Sequence, residues 1–105
     1  MGSVTQAERL CEQVVKDSEI SNATVRISAW LVGVAALTGG FPVDLTYRQV
    51  REGYTKNGVY IAGTGSRIET IKASFEWLEK RGYLVTEEGS ASGFGHTSRL
   101  YRLIL

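Results

Sequence analysis

Ser66, Arg67, Thr70 and Lys72 follow the run Gly63-Thr64-Gly65 and open an apolar helical stripe. Hydroxyls, a guanidinium and an ammonium at a helix start suit the binding of anions, because the first backbone N–H groups are free there and the helix dipole is positive. The loop itself is no P-loop, being too short and lacking the Gly-Lys-Ser/Thr ending. Other chemistries lack their residues. His96 is the single histidine and Cys11 the single cysteine, so zinc spacing is missing, and neither a nucleophile–base pair nor a motif of paired carboxylates is present. A non-enzymatic chain with no metal, cofactor or small-molecule substrate is expected. His96 reads as an exposed loop residue, and Cys11 as a small core residue on a buried stripe.

Composition bounds the remaining choices. A chain of 105 residues, 43% hydrophobic, has the size of one domain and can bury one core without disulfides or metal. One cysteine and no secretory pattern predict a reducing, cytoplasmic setting. The most apolar run, 29–37, is far below the roughly 20 residues of a membrane span. Net charge is only +1, but it is unevenly spread. Up to residue 45, Arg9, Lys16 and Arg26 face Glu8, Glu12, Asp17, Glu19 and Asp44; the remainder of the chain carries a surplus of bases. That asymmetry suits a basic face on a nearly neutral body.

The elements that must position these groups follow from periodicity and caps. Thr5 and Glu8 have capping-box spacing, and Ala7, Leu10, Cys11, Val14 and Val15 form one stripe of a helix running to about Asp17. A second helix starts at Ser21 or Asn22 and runs to Thr38 before Gly39-Gly40, with Ile27, Trp30, Leu31, Val34 and Leu37 on one face. Its other faces hold few polar residues, which predicts cover from two sides. Phe41 to Leu45 reads as an edge strand that pairs with a later hairpin, and Thr46 caps a short helix from Tyr47 to about Tyr54. Asn57-Gly58 marks a turn, and Val59-Tyr60-Ile61 is either extended or a helical turn. Ser66 is the expected cap of the fourth helix, with Glu69 three residues on and Ile68, Ile71, Phe75 and Leu78 inward. Gly82 ends that helix in a left-handed conformation, and Tyr83–Thr86 and Arg99–Ile104 are two strands joined by residues 87–98.

The order α, α, β, α, α, β, β resembles, from Phe41 onward, the winged-helix (winged helix-turn-helix) superfamily of DNA-binding domains. The resemblance is carried by Leu45-Thr46-Tyr47-Arg48-Gln49-Val50, by the apolar pattern of the fourth helix, and by Leu78-Glu79-Lys80-Arg81-Gly82-Tyr83-Leu84 before a hairpin. It implies an α+β, mainly α, single domain. Residues 1–40 would supply N-terminal helices for dimerisation, and residues 41–105 the DNA-binding core and a C-terminal β-hairpin wing. Small bacterial regulators and plasmid or phage replication and partition proteins are similar in this respect. The long connection 55–65 departs from the simplest pattern and leaves the angle between the third and fourth helices open.

If the family's recognition mode carries over, Ser66, Arg67, Thr70 and Lys72 lie nearest the major groove of double-stranded DNA. Arg67 then meets either a guanine edge or a phosphate, and Thr70 either a thymine methyl or a phosphate. Arg48 and Arg51, with Lys56 just beyond, would lie along the DNA backbone, and in the wing Ser90, Ser92, His96, Thr97, Ser98 and Arg99 would follow a minor groove or adjacent phosphates. A homodimer is expected through Leu10, Val14, Trp30 and Val34, serving a repressor or a plasmid or phage maintenance protein. The alternative is a winged-helix module that binds protein, which Glu76, Glu79, Glu87, Glu88 and an outward Trp77 would suit. A continuous positive band would favour DNA; interruption by those carboxylates would favour protein.

Overall fold

Capping chemistry sets most element boundaries in the computed structural model, which describes residues 6–88 and 98–104. After α1 (Gln6–Lys16), the Ser21 hydroxyl accepts the Thr24 N–H at 3.1 Å and starts α2 (Asn22–Thr38), which ends where Gly39 turns left-handed with φ 97°. The strand β1 (Val43–Leu45) leads to Thr46, which closes a capping box with Gln49 and starts α3 (Tyr47–Glu52). A hairpin follows, β2 (Gly53–Lys56) and β3 (Val59–Ala62), and then α4 (Ile68–Lys80). The Gly82 N–H donates to Glu79 O at 3.0 Å and the Tyr83 N–H to Leu78 O at 2.9 Å, so the chain leaves α4 through a left-handed Gly82. It passes directly into β4 (Leu84–Glu88), which pairs with β5 (Arg99–Leu103).

The chain is α+β and about half helical, with an antiparallel sheet in the order β1-β5-β4 and a separate two-stranded ribbon β2-β3. The expected edge strand does pair with the later hairpin: Val43 faces Tyr101 and Leu45 faces Arg99. One buried cluster joins α2 through Ile27, Leu31 and Val34, α4 through Ile71, Phe75 and Leu78, and the sheet through Leu45, Tyr101 and Leu103. Phe75 is its hub, with ring centroids of Tyr101 at 4.6 Å and Tyr47 at 5.9 Å.

Burial, and after it the neighbouring Tyr47 phenol, hold the Tyr101 hydroxyl well above the ordinary tyrosine range against the lowering pull of Arg99. A raised folded value means that the neutral phenol's stabilisation is complete below the unfolded pKa of about 10 and is lost as pH climbs past it. Melting temperature should therefore fall as pH rises above about 10. Tyr101→Phe should flatten that fall, as pH-dependent thermal melts would register; an equally steep decline in the variant would refute the assignment.

The first helix is rotated from the face its apolar residues suggest, whereas α2 buries Ile27, Leu31 and Val34 as expected and departs at the edges of that face. On α1 the buried side is Leu10, flanked by half-buried Gln13, Val14 and Asp17, whereas Cys11 is exposed and Val15 is 86% exposed. Asp17 draws the helix round, because its carboxylate accepts the Tyr83 hydroxyl at 3.1 Å and pairs with Arg81 at 3.5 Å. Cys11 is thus a surface residue and not a core one. On α2 the buried face includes Thr24, Ser28 and Ala35, while Leu37 is 58% exposed. Hydroxyls can go inward there because they are satisfied: Ser28 donates to Thr24 O at 2.7 Å and Thr24 to the Ser74 hydroxyl at 3.2 Å.

Candidate nucleic-acid interface

The connection between α3 and α4 is a closed excursion. The chain leaves α3 at Gly53 and returns at Gly63, where the two backbones touch: a Cβ on Gly63 would meet Arg51 O, with Glu52 C and Gly53 N both at 2.5 Å. The Thr64 N–H and hydroxyl both donate to Val50 O, at 2.7 and 3.0 Å, and the Gly65 N–H donates to Arg51 O at 3.0 Å. The last carbonyls of α3 are therefore taken by the residues that lead into α4. Helix three and helix four meet as if a short turn joined them, and the intervening residues form the β2-β3 hairpin. Asn57 and Gly58, at φ 51° and 79°, make the two-residue turn that Asn-Gly favours.

The same segment shifts the start of α4. Ser66 is half-buried, and its N–H donates to the Thr64 hydroxyl at 3.2 Å, so Arg67 and not Ser66 is the N-cap. No side chain caps this end, and the expected Ser66–Glu69 capping box does not form. The amino end of α4 is thus open. Arg51 and Arg67 both line a shallow cleft there with Gly65, Ile68 and Glu69.

The other expected contact residues are more scattered. Lys72 is exposed on the outward side of α4, but half-buried Thr70 turns the other way and lines a groove against Ala23 and Thr24 at the start of α2. Trp77 lies in that groove too, half-buried, with the Arg81 guanidinium 4.8 Å from its ring centroid and Tyr83 at 6.0 Å. Arg81 also pairs with Glu19, which leaves it committed to holding the α1–α2 junction against α4. Arg48 is exposed and pairs with Glu52 at 3.3 Å along α3. Lys56 ends β2 near the hairpin turn, and Arg99 opens β5 opposite Glu88. Ser98 is buried and not a surface contact, while Ser90, Ser92, His96 and Thr97 lie outside the described residues.

Charge along the outward surface is mixed. Glu69, Glu76 and Glu79 share the exposed part of α4 with Lys72 and Lys80. Glu76, Glu79 and Arg99 all lie near enough to Tyr47 to act on its hydroxyl, although burial is the main cause of that group's raised pKa. The positive band expected from α3 through α4 to the strands is therefore interrupted, and even the cleft at the amino end of α4, where Arg51 and Arg67 are both lining residues, includes Glu69.

The residues expected at a dimer contact are largely used within the chain. Val34 is 2% exposed in the core, Leu10 is buried, and Val14 is half-buried. The Trp30 indole N–H donates to Ala62 O at 2.7 Å, anchoring the β2-β3 hairpin to α2. Packing against their own chain removes Leu10 and Val34 as surface groups; Val15 and Leu37 are the large apolar residues that α1 and α2 expose.

The pairing of β2 with β3, which carries Tyr60, is what sequence reasoning left unread, although the turn at Asn57-Gly58 and the extended alternative for Val59-Tyr60-Ile61 are as expected. The signal was there, since Asn57-Gly58 lies between Tyr54-Thr55-Lys56 and Val59-Tyr60-Ile61, two β-prone runs separated by a type I′ pair. Among the described residues no group of His, Cys, Asp and Glu could hold a metal, and no helix is long and apolar enough to cross a membrane. Comparison with protein-family models, with curated proteins and with solved structures gives no match to this chain.

Proposed function

We propose that this chain is a small, non-enzymatic, sequence-specific binder of double-stranded DNA, of winged-helix type, acting in a reducing cytoplasmic setting as a transcriptional regulator or a plasmid or phage maintenance protein. The observation that carries this reading is the uncapped amino end of α4, with its free backbone donors, flanked by Arg51 and Arg67. Its support in the fold is the sheet order β1-β5-β4 around a helix pair joined as a tight turn, the arrangement that the winged-helix resemblance implies. Arg67 reads a base edge or clamps a phosphate, Arg51 and Arg48 bind backbone, and Lys72 follows one turn along α4. A second copy bound about one helical turn away multiplies affinity and specificity, and Val15 and Leu37 are the exposed apolar positions open to it.

The experiment is a mobility-shift titration on duplexes selected from random sequence. Arg67→Ala, at an exposed position, should weaken binding about ten-fold without changing the fold, and log affinity should fall linearly with log salt. Unchanged affinity at matched salt would remove Arg67 from the interface. A specific observation favours a second reading: Glu69, Glu76 and Glu79 interrupt the basic surface of α4, as a protein-binding module would tolerate. No duplex binding at low salt would decide for that module.

A further inference from the structure

The β2-β3 hairpin is rooted where α3 ends and α4 begins, beside Arg51 and Arg67. Its base is held on three sides: Gly53 and Gly63 touch through their backbones, Thr64 and Gly65 bond to the end of α3, and Trp30 donates to Ala62 O. Ile61 is buried, so one face of the ribbon is seated on the core. The outer half is not. Tyr60 is 68% exposed, Thr55, Lys56, Asn57 and Val59 are exposed as well, and the register places Thr55 beside Tyr60 on one face and Lys56 beside Val59 on the other. Three residues of strand carry this end about 10 Å from its base.

Charge singles out the same segment. The chain has 12 basic and 11 acidic residues, yet residues 53–67 contain Lys56 and Arg67 and not one Asp or Glu. Arg51 adds a further guanidinium at the root, and among the described residues no carboxylate pairs with Lys56. By contrast, α4 presents Glu69, Glu76 and Glu79 outward, and β4 carries Glu87 and Glu88, the latter opposite Arg99. A polyanion laid along α4 toward β4 meets repelling carboxylates. One laid across the amino end of α4 toward the hairpin passes Glu69, which lines the cleft there, and the neighbouring Glu52, but along residues 53–67 it meets cations and neutral hydroxyl donors.

We propose that the β2-β3 hairpin is a second DNA-contacting element that grips the phosphates flanking the segment met by α4. From opposite faces of the exposed end of the ribbon, Lys56 neutralises one phosphate and the Tyr60 and Thr55 hydroxyls donate to oxygens of another, the side chains and chemistry that fix register on a duplex without reading bases. The assignment rests on the DNA-binding reading above, and it moves the flanking contact from the β4-β5 strands to a ribbon that the helix-turn-helix junction itself holds in place.

The test is fluorescence anisotropy of a labelled duplex selected from random sequence for binding, titrated with the full chain, with Lys56→Ala/Tyr60→Ala and Lys56→Glu as separate variants, across a range of salt. The double variant should bind about ten-fold more weakly, and its log–log salt slope should be shallower by about one. Lys56→Glu should weaken binding further, and hydroxyl-radical footprints of both should lose protection on one flank. Both positions are exposed, and circular dichroism checks that the fold is kept. If the unmodified chain binds, Arg67→Ala binds poorly and both hairpin variants match the unmodified chain in affinity, slope and footprint, the hairpin assignment falls and the DNA reading stands. If the unmodified chain does not bind the duplex, both fall together.

Discussion

Gly63→Val should lower the melting temperature by about 15 °C, the loss of about 3 kcal/mol in a domain of this size. A side chain at Gly63 has nowhere to go, since its Cβ alone would press on Arg51 O, Glu52 C and Gly53 N, all backbone atoms of the segment that ends α3. Backbone cannot swing aside as a flexible side chain can. Relief requires parting the two strands at the base of the hairpin, which breaks the bonds from Thr64 to Val50 O and from Gly65 to Arg51 O. The same parting would change the angle between α3 and α4 and separate Arg51 from Arg67, so duplex affinity should fall with stability. Thermal unfolding followed by circular dichroism measures the first effect; a drop of less than about 2 °C would show that the crossing is looser than described.

Phe75→Ala should cost about 4 kcal/mol, a large share of the roughly 5–15 kcal/mol that holds a small domain together. The ring is 1% exposed and sits between Tyr47 of α3 and Tyr101 of β5, so its removal opens a cavity where the helix pair meets the sheet. Relaxation into that cavity is hindered, because Tyr101 is itself 3% exposed and Tyr47 packs against the same cluster. Urea denaturation should show a lower midpoint with an unchanged slope. A loss below about 1 kcal/mol would mean that the aromatic cluster is not what joins α4 to the sheet.

The two substitutions probe different parts of one arrangement. Phe75 holds α4 against the sheet, whereas Gly63 lets α4 approach α3 despite the residues inserted between them. The candidate interface depends on both: Arg51 and Arg67 come from different helices and converge only if the insertion closes on itself. A long connection between α3 and α4 is therefore compatible with a tight junction, provided that the insertion pairs into a ribbon and its ends meet.

What could be read in the chain alone was local. Ser21 and Gly39 around α2, Thr46 before α3 and Gly82 after α4 act on backbone groups within four or five residues, and each marks its helix end as expected. The pairing of Val43–Leu45 with the last strand was legible too, because a short β-prone run beside a proline has few other uses. Other outcomes hinged on residues far apart in sequence. Asp17 bonds to Tyr83 sixty-six positions on and turns α1 from the face that counting apolar residues suggests, leaving Cys11 and Val15 outside; Thr24 bonds to Ser74 fifty positions on and brings hydroxyls to the buried face of α2 beside the expected Ile27, Leu31 and Val34, while Leu37 stays outside. The cap of α4 moved from Ser66 to Arg67 because Thr64 was already engaged with Val50. Sequence by itself determined where most helices and strands begin and end, since capping and turn preferences are short-range. Only the tertiary structure decided which faces are buried and which cations converge, since those depend on partners that folding brings together.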